Sequence, residues 1–569
     1  MRTYFFCILW LSILISSCNQ QSEKKKRQAD AGTTQSYISC GIPDLTDKEW
    51  YASGKKAPMF KGLEGIHYPI TTKNAEAQNY FNQGLMLAYG FNHAEAARSF
   101  FESTRQDSTS AMSWWGFAYV LGPNYNAGMA SDNFRRAYDA IQNAKSYSFS
   151  CTQKEKDLIE ALSHRYSSDT TIARPVLDSS YAAAMRRIYA KYGADAHVAA
   201  LFAESLMNLH PWNLWKKDRT AQPWTPEIIR VLEKCLQREP KHVGGNHFYI
   251  HATEASQHPE NAMASANLLR DLVPGSGHLV HMPAHTYIRT GRYHDGVVTN
   301  LKAILADSLY TEACYATGMY PSAYYPHNYQ FIAACATMGG ETKAALKASE
   351  EIVYHTNKTL LMDKAWFPFQ SFYSIKWYVA VKLGLWEQIL NSSTDKNFKY
   401  PTVIWHYAKG MANLSQHEIK FAKKHLSEIK TLLGDSTLKT MSSWKQCVIA
   451  GKTLEGEIMA KQKNYPRAIL LLTEAVAKED SLNYAEPPEW PFSVRQNLGA
   501  VLLEAQKYKE AIRIYEEDLK LYYENGWALR GLMTAYEKLG DKPKYEETKD
   551  RFEEAWKHAD IEISSSRIL

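Results

Sequence analysis

The sequence predicts an all-α protein built from repeated pairs of helices. A histidine pair four residues apart, His247 and His251, recurs 34 residues later as His281 and His285. Small residues recur at the spacing expected where two helices cross closely, and no segment shows the period-two alternation of a half-buried strand. A 34-residue period is typical of tetratricopeptide helix-turn-helix repeats, which stack into an α-solenoid with a right-handed superhelical twist.

The small residues define the repeats. Each complete unit has a small residue in its first helix, another 12 residues later in its second helix, and an aromatic residue or Leu four residues further on. The triplets are Gly84–Ala96–Phe100, Gly410–Ala422–Leu426, Gly456–Ala468–Leu472 and Gly499–Ala511–Tyr515. Ile250 with Ala262, and Ala284 with Gly296, keep part of the pattern. Because each unit buries its apolar stripe against its neighbours, the array predicts one continuous core and a concave groove lined by the first helices.

Composition and repeat pattern divide the chain into seven predicted segments. They are a lipoprotein signal peptide at 1–17, a disordered lipid-anchored tether at 18–39, an irregular N-terminal cap at 40–73, N-terminal tetratricopeptide repeats at 74–130, a helical insert or degenerate repeats at 131–224, central repeats with the histidines at 225–355, and C-terminal tetratricopeptide repeats at 356–560. Within the insert, Thr152 and Glu155 predict a capping box at a helix start.

The N-terminus resembles a bacterial lipoprotein signal. An apolar run from 4 to 15 follows Arg2 and leads into Ile-Ser-Ser-Cys, which predicts cleavage before Cys18 and lipidation of that residue. The run is too short to span a bilayer comfortably, which disfavours a transmembrane anchor. Asn19 after the lipidated cysteine favours the outer membrane. The predicted location is therefore the bacterial cell envelope, with membrane contact through the lipid anchor.

Charge and cysteine usage narrow the function classes. The 66 basic and 60 acidic residues give a net charge of +6, and the basic run at 24–27 supplies most of this excess. The folded body is therefore close to neutral and lacks the basic footprint of a nucleic-acid-binding protein, so we expect no nucleic-acid partner. The eight cysteines are scattered without a C-x-x-C motif, which argues against a cysteine-rich metal site and favours buried apolar thiols.

The histidine pairs mark the predicted ligand groove. Residues three before and one after the small, helix-facing position of a repeat face the groove, and both pairs occupy these positions. The predicted groove residues are His247, His251, Glu254, His278, His281, His285, Tyr287, His327, Tyr329 and Arg495. Asn300 stands where a large apolar residue is usual, which predicts a buried polar contact.

Three interpretations of the histidines remain open. Imidazoles at i and i+4 can converge on one metal ion, and the predicted ligands of zinc or another divalent transition metal are His247, His251, Glu254, His281 and His285. The pattern differs from the metalloprotease motif H-E-x-x-H. Alternatively, the histidines and nearby tyrosines contact an extended peptide, or they form a structural hydrogen-bond network.

Several motifs together resemble a widespread family of bacterial tetratricopeptide repeat proteins. The resemblance extends from about residue 67 to about residue 536. Its motifs are Phe-Asn-Gln-Gly-Leu at 81–85, Ala-Met-Ser-Trp-Trp-Gly at 111–116, His-Phe-Tyr-Ile-His at 247–251, Gly-His-Leu-Val-His-Met-Pro-Ala-His at 277–285, Tyr-Tyr-Pro-His-Asn-Tyr at 324–329 and Glu-Pro-Pro-Glu-Trp at 486–490. Ser108 and Ser110 depart from the expected Pro and Cys. The resemblance implies the fold and protein binding, and it implies no reaction and no catalytic residues.

The sequence thus predicts a lipid-anchored repeat protein that binds a protein or peptide in its groove. The alternative is a metal-dependent hydrolase or oxidoreductase that uses the histidines and Glu254. A third hypothesis is a component of an outer-membrane uptake system that binds oligosaccharide or peptide through aromatic side chains. On these grounds an enzyme is the less favoured class, and any activity would depend on a divalent metal.

Overall fold

The computed structural model describes residues 48–314 and 320–569. The predicted signal peptide, the tether and Cys18 lie outside the described residues. Within the described ranges the chain is an all-α solenoid without β-strands, as predicted, and only isolated bridges such as Trp215–Ala221 interrupt the helical pattern. None of the helices in these ranges is both long and apolar enough to cross a bilayer.

Helices follow one another in short antiparallel pairs joined by turns. Their bounds are α1 Lys48–Ala52, α2 Ala75–Tyr89, α3 His93–Gln106, α4 Ala111–Leu121, α5 Asn133–Tyr147, α6 Gln153–Ser163, α7 Arg174–Tyr192, α8 Ala196–Met207, α9 Thr225–Arg238, α10 Val243–Thr253, α11 Met263–Leu272, α12 Gly277–His281, α13 Pro283–Arg289, α14 Tyr293–Cys314, α15 Tyr325–Gly339, α16 Thr342–His355, α17 Gln370–Lys382, α18 Trp386–Leu390, α19 Lys399–Ser415, α20 Ile419–Leu433, α21 Ser436–Thr440, α22 Trp444–Lys461, α23 Tyr465–Glu479, α24 Val494–Glu504, α25 Tyr508–Leu521, α26 Gly526–Leu539 and α27 Lys542–Ala555. The predicted capping box is present at the start of α6.

The repeat glycines lie where helices approach each other. A Cβ added to Gly84 would lie 2.9 Å from the Phe100 ring, and one added to Gly456 would lie 2.8 Å from Leu472 Cγ. Real side chains essentially never approach so closely, so only glycine fits at these crossings. The predicted triplets therefore mark true contacts between the two helices of one repeat.

Gly410 makes a different contact from the one its triplet suggests. A Cβ at this position would collide with Leu454 of α22, in the next repeat, and its nearest neighbours do not include Leu426. The glycine of α19 therefore serves the stacking of successive repeats rather than the crossing within its own pair.

The apolar interior forms two large clusters that meet near α12 and α13. Leu279 and Met282 belong to the N-terminal cluster, whereas Ala284 and Ile288 belong to the C-terminal one. This differs from the single continuous core that the repeats predict. The histidines of α12 and α13 lie at the boundary, where a polar layer separates the two apolar regions.

The C-terminal repeats return to pack against the central repeats. Trp527 is fully buried and its Nε1 donates to the Thr337 carbonyl at 2.9 Å. Tyr293 donates its hydroxyl to the Tyr523 carbonyl at 2.9 Å. These contacts pack the C-terminal repeats against the central ones, and residues of both regions line one cavity.

The described cysteine thiols are buried and free of disulfides, as the scattered spacing indicated. They are Cys151, Cys235, Cys335 and Cys447. Burial raises the pKa of the Cys235 thiol to about 12, so this sulfur is protonated and packs as a small apolar group.

Candidate metal centre

Six histidines from three consecutive repeats converge at the boundary between the two apolar clusters. We call them the histidine cluster: His247 and His251 from α10, His278 and His281 from α12, His285 from α13, and His327 from α15. Their ring centroids lie 4.9 Å apart within each i, i+4 pair, and 5.6 Å separate His251 from His285. The two pairs therefore face one another across adjoining repeats.

Two glycines allow the backbone of α10 to approach its neighbours closely. A Cβ at Gly244 would lie 2.6 Å from the Tyr89 ring, and one at Gly245 would lie 3.0 Å from the Cys235 sulfur. The close approach to α2 places the carbonyl of Tyr89 beside His247, whose Nδ1 donates to it at 2.5 Å. The two glycines of α10 thus help to fix the position of the His247 imidazole.

A third glycine positions α12. Gly277 leaves no room for a side chain, because a Cβ there would overlap the Asp307 carboxylate of α14. Tyr320 donates its hydroxyl to Asp307 Oδ1 at 2.6 Å and accepts the backbone N–H of His278 at 3.2 Å. Asn328 Nδ2 donates to the other Asp307 oxygen at 2.6 Å. The buried Asp307 therefore ties α12, α14 and α15 together around the cluster.

Five of the six cluster histidines are buried rather than exposed to an open groove, and His327 is partly exposed. His247 and His281 have 0% exposure, His251 and His285 have 2%, and His278 has 3%. Phe91 lies 4.5 Å from the His247 ring, and Phe331 lies 4.7 Å from both the His281 and His285 rings. These aromatic walls exclude bulk water from the imidazoles.

Glu254 links the two repeats through a single carboxylate. Its Oε1 accepts from His251 Nδ1 at 3.0 Å, and its Oε2 lies 2.5 Å from His285 Nδ1. Burial alone would raise its pKa, but His285 and His251 outweigh burial and hold the pKa of Glu254 at about 2. The carboxylate is therefore ionised and fixes the orientation of both rings, rather than pointing its oxygens at the cluster centre.

Three cluster histidines donate from Nδ1 to an oxygen acceptor, and His285 Nδ1 lies 2.5 Å from Glu254 Oε2 without the geometry of a hydrogen bond. Beside the contacts to Tyr89 O and Glu254, His281 Nδ1 donates to Asn300 Oδ1 at 2.7 Å. The amide of Asn300 is itself oriented, because its Nδ2 donates to the Gly296 carbonyl at 2.8 Å. The buried polar contact expected at Asn300 is thus present. A neutral imidazole that donates from Nδ1 has a lone pair on Nε2.

The Nε2 atoms point into the cluster. Those of His247 and His251 are buried without a hydrogen-bond partner, and both ring nitrogens of His278 share this state. His281 Nε2 and His285 Nε2 lie 3.0 Å from each other. The described residues therefore leave a set of ring nitrogens close together in a largely buried site.

Burial and mutual repulsion keep four of these imidazoles neutral, those of His247, His278, His281 and His327. Desolvation, together with neighbouring histidines, lowers the pKa of His247, His278 and His281 well below its usual value. Burial first, and then His285, lower the pKa of His327 to about 3. Neutral imidazole is the form that binds a metal ion.

Within the described residues, the geometry groups the histidines into two sets of three. In the first set His247, His251 and His278 each offer a nitrogen, and all three atoms lie within 4.8 Å of one another. His281, His285 and His327 form the second set by the same criterion. Glu254, which the sequence suggested as a ligand, instead supports one histidine in each set.

Three other residues predicted to line the groove lie away from the cluster. Tyr287 donates its hydroxyl to an exposed asparagine, Asn267, at 2.9 Å, on the side opposite His285. Tyr329 stacks on His355 with centroids 5.5 Å apart. Arg495 binds an acid of the C-terminal repeats and borders the cavity described next.

A cavity of about 370 Å³ reaches the cluster at His251 and Glu254. Its wall includes Trp212, whose ring centroid is 5.8 Å from that of His251. In the cavity wall, Arg289 Nε lies 3.8 Å from Glu486 Oε1. Burial raises the pKa of Glu486 to about 7. The Glu-Pro-Pro-Glu-Trp motif at 486–490 therefore lines a cavity beside the cluster, a role that its prolines alone did not indicate.

A smaller histidine group escaped the sequence analysis. His197 Nδ1 lies 3.1 Å from His242 Nε2 and 2.8 Å from the Tyr89 hydroxyl, and Glu239 completes the group. These ring nitrogens already have hydrogen-bond partners, and His242 Nδ1 accepts the Gly245 N–H that starts α10. The group therefore supports the local structure next to the cluster.

No protein-family model matches the chain, and neither does any curated protein. Similar solved structures include human IFIT1 as a dimer with m7Gppp-AAAA, at 12% identity over 86% of this chain and 91% of that one, with a TM-score of 0.30. Yeast Tom70 aligns at 11% identity over 82% and 90% with a TM-score of 0.27, and the APC/C Cut9–Hcn1 hetero-tetramer at 13% over 84% and 76% with a TM-score of 0.27. Similarity at this level carries nothing about ligands or partners.

Proposed function

We propose that this protein is a metal-binding solenoid whose histidine cluster holds first-row transition-metal ions through imidazole Nε2 atoms. This function develops the metal-dependent alternative from the sequence rather than the peptide-binding one. Imidazole suits copper, zinc, iron and nickel. The aromatic residues beside the cluster limit contact with solvent, and the buried oxygen acceptors orient the imidazoles that would bind the metal.

One observation carries the proposal. His281 Nε2 and His285 Nε2 approach to 3.0 Å although the Nδ1 atoms of both rings already face oxygen acceptors. Two neutral rings held in this way would turn their lone pairs towards each other. A cation between them removes the repulsion, and metal-bound histidines typically donate their second nitrogen to an oxygen acceptor in this manner.

A proton is the competing cation at this position. It would leave His285 as an imidazolium beside the Glu254 carboxylate, which is a satisfactory buried ion pair. A proton would satisfy only this one contact, however. The unpartnered nitrogens of His247, His251 and His278 would still be buried without a donor or a ligand, at a cost of about 1–3 kcal/mol for each group.

Burial disfavours a peptide as the direct ligand of these histidines. A peptide backbone would have to enter a region in which five of the six imidazoles are at most 3% exposed and aromatic rings lie against them. A small ion requires no such opening. Any larger ligand would contact the cavity beside His251 and Glu254 instead.

Metal analysis of untagged protein tests the proposal. We expect the purified chain to retain at least one copper, zinc, iron or nickel ion per molecule after dialysis. The double variant His251→Ala/His285→Ala should lose the metal. A matched control is His406→Ala, because His406 Nδ1 lies 2.9 Å from His425 Nδ1 in a partly buried pair on α19 and α20, remote in sequence from the cluster. This control should keep the full metal content.

The proposal fails if the chain remains metal-free after incubation with each of these ions while its circular dichroism spectrum stays helical. It also fails if the double variant and the His406→Ala control retain equal amounts of metal. Thermal unfolding of each variant separates loss of the site from loss of the fold.

We further propose that lipid on Cys18 anchors the protein to the bacterial envelope, on the basis of the lipobox and the polar segment that follows it. Mass spectrometry of the N-terminal peptide should show a lipid adduct on Cys18. An uncleaved Met1 terminus without an adduct would contradict this assignment.

A further inference from the structure

We infer that the histidine cluster is a dinuclear copper site, with one ion held by His247, His251 and His278 and the other by His281, His285 and His327. This inference rests on the proposed metal-binding function and adds the number of ions, their identity and their ligands.

The first argument is the internal duplication of the site. Each set takes two histidines at i and i+4 from the first helix of one repeat and a third from the first helix of the next repeat. His278 completes the set of α10, and His327 completes the set of α12 and α13. Stacked repeats place the two i, i+4 pairs in equivalent surroundings, and the following repeat supplies a third histidine to each pair, although from a different position.

The second argument is the equivalence of the supporting contacts. In each set one i, i+4 partner is oriented by Glu254, namely His251 in the first set and His285 in the second. The other partner is oriented by a neutral oxygen, the Tyr89 carbonyl for His247 and the Asn300 amide for His281. Both sets therefore have one charged and one neutral support. If only one ion were bound, one of these two similarly supported sets would hold no metal.

The third histidines have free nitrogens as well. Neither ring nitrogen of His278 has a hydrogen-bond partner, although the residue is buried. His327 Nδ1 contacts Gln330 Oε1 at 3.4 Å, which leaves its Nε2 for an ion. The His278 ring lies 5.0 Å from His247, and the His327 ring lies 5.0 Å from His281, so each third ring is adjacent to its own pair.

The two sets are neighbours. His278 lies 5.8 Å from His281 between centroids, and His251 lies 5.6 Å from His285. Glu254 touches one imidazole of each set with its two oxygens. Two ions bound here would therefore share a carboxylate in their outer shells and would influence each other's affinity.

Charge selects copper over the divalent alternatives. Among the described residues, Glu254 is the carboxylate that contacts the cluster, and burying uncompensated charge is expensive. Two Cu⁺ ions would introduce half the positive charge of two Zn²⁺ ions. All six donors are imidazole nitrogens, which suit copper.

The test measures binding of Cu⁺ alone to the full chain without oxygen. Excess Cu⁺ is removed by gel filtration, and copper and protein are then quantified. We expect two copper ions per chain for the wild type and for His406→Ala, and one ion each for His278→Ala and His327→Ala. X-ray absorption at the copper edge of the loaded wild type should show about three nitrogen scatterers per copper, as the two sets imply.

The outcomes separate the inference from the proposed function. One copper per chain, or two ions of zinc retained in preference to supplied Cu⁺, would overturn the dinuclear copper assignment and leave metal binding in place. Absence of every metal would overturn both. If an alanine variant unfolds, the X-ray absorption spectrum of the copper-loaded wild type still tests the ligand sets. Sulfur scatterers, or a single histidine per copper, would contradict them.

Discussion

At the scale of single residues, the site depends on the oxygen atoms that orient the imidazoles. Glu254 holds a histidine from each of two repeats, and Asn300 holds a third through an amide whose own orientation is fixed by the Gly296 carbonyl. Such supporting contacts typically change metal affinity by about 10- to 100-fold when they are lost. They are therefore the most informative positions for substitution.

The variant Asn300→Leu tests this dependence. Leucine is branched at the same position but cannot accept the proton of His281 Nδ1, so we expect metal affinity to fall by about 10- to 100-fold. Competition with a chelator of known affinity measures the change. Asn413→Leu is the matched control, because Asn413 makes the same i to i−4 bond, to the Lys409 carbonyl, on α19. Equal affinities for the two variants would contradict the orienting role of Asn300.

The sequence predicted the convergence of the two histidine pairs for a simple reason. Helical geometry places i and i+4 on one face, and a 34-residue period places equivalent faces side by side. The contact of Asn300 was predictable because a polar residue replaced an apolar one in the repeat pattern. The Tyr89 carbonyl was not, since it lies 158 residues from His247 and no side-chain pattern records a backbone acceptor.

At the scale of helices, glycines decide how closely repeats approach. Gly410→Ala should destabilise the chain by about 1–3 kcal/mol, because its Cβ would collide with Leu454 in a packed interior. Gly128→Ala is the matched control, since nothing lies within 4 Å of a Cβ there, and surface changes are usually within about 0.5 kcal/mol. Thermal unfolding midpoints compare the two. A Gly410→Ala variant as stable as Gly128→Ala would rule out the tight contact between α19 and α22.

The periodicity of the sequence predicted which segments form helices. It did not always predict which helix packs against which. The triplet at Gly410 predicted a contact with Leu426, and the structure places Leu454 of the next repeat there instead. A glycine on a helix faces both its own partner and the following repeat, and spacing alone does not distinguish the two.

At the scale of the whole molecule, the C-terminal repeats return to the central ones and line the cavity beside the cluster. The sequence predicted an open groove because repeat positions define which residues face inward, but it contains no local signal for contacts such as Trp527 with Thr337, 190 residues apart. The histidines lie against Phe91 and Phe331, so the stripe that the sequence placed in an open groove is mostly buried. Burial is what turns the histidines from candidate peptide contacts into candidate metal ligands.

Substitution of Asp560 tests how much the packing of the C-terminal end against α16 contributes to stability. Its carboxylate accepts from the Thr342 backbone N–H and hydroxyl, both at 2.6 Å, at the start of α16. We expect Asp560→Ala to lower stability by about 0.5–2 kcal/mol, as for loss of a helix cap. Burial is the largest single effect and raises the pKa of Asp560, but the hydrogen bonds from Thr342 and Lys343 together outweigh it and lower the pKa overall. A lowered pKa stabilises the fold above the ordinary Asp value, and this contribution is lost as the pH falls through the folded pKa.

The unfolding midpoint of each protein should therefore be measured at pH 7 and at pH 3. We expect the difference between wild type and Asp560→Ala to be smaller at pH 3. Asp550→Ala serves as the comparison, because Asp550 lies on the neighbouring helix α27. An equal difference at both pH values would show that the Asp560 charge does not cap α16.

Anomalous X-ray diffraction from crystals of the copper-loaded protein tests the central claim most directly. The account predicts two anomalous peaks at the copper edge, one among the Nε2 atoms of His247 and His251 near His278, and the other among His281, His285 and His327. Anomalous density confined to the protein surface, with the cluster imidazoles hydrogen-bonded only to one another, would contradict it.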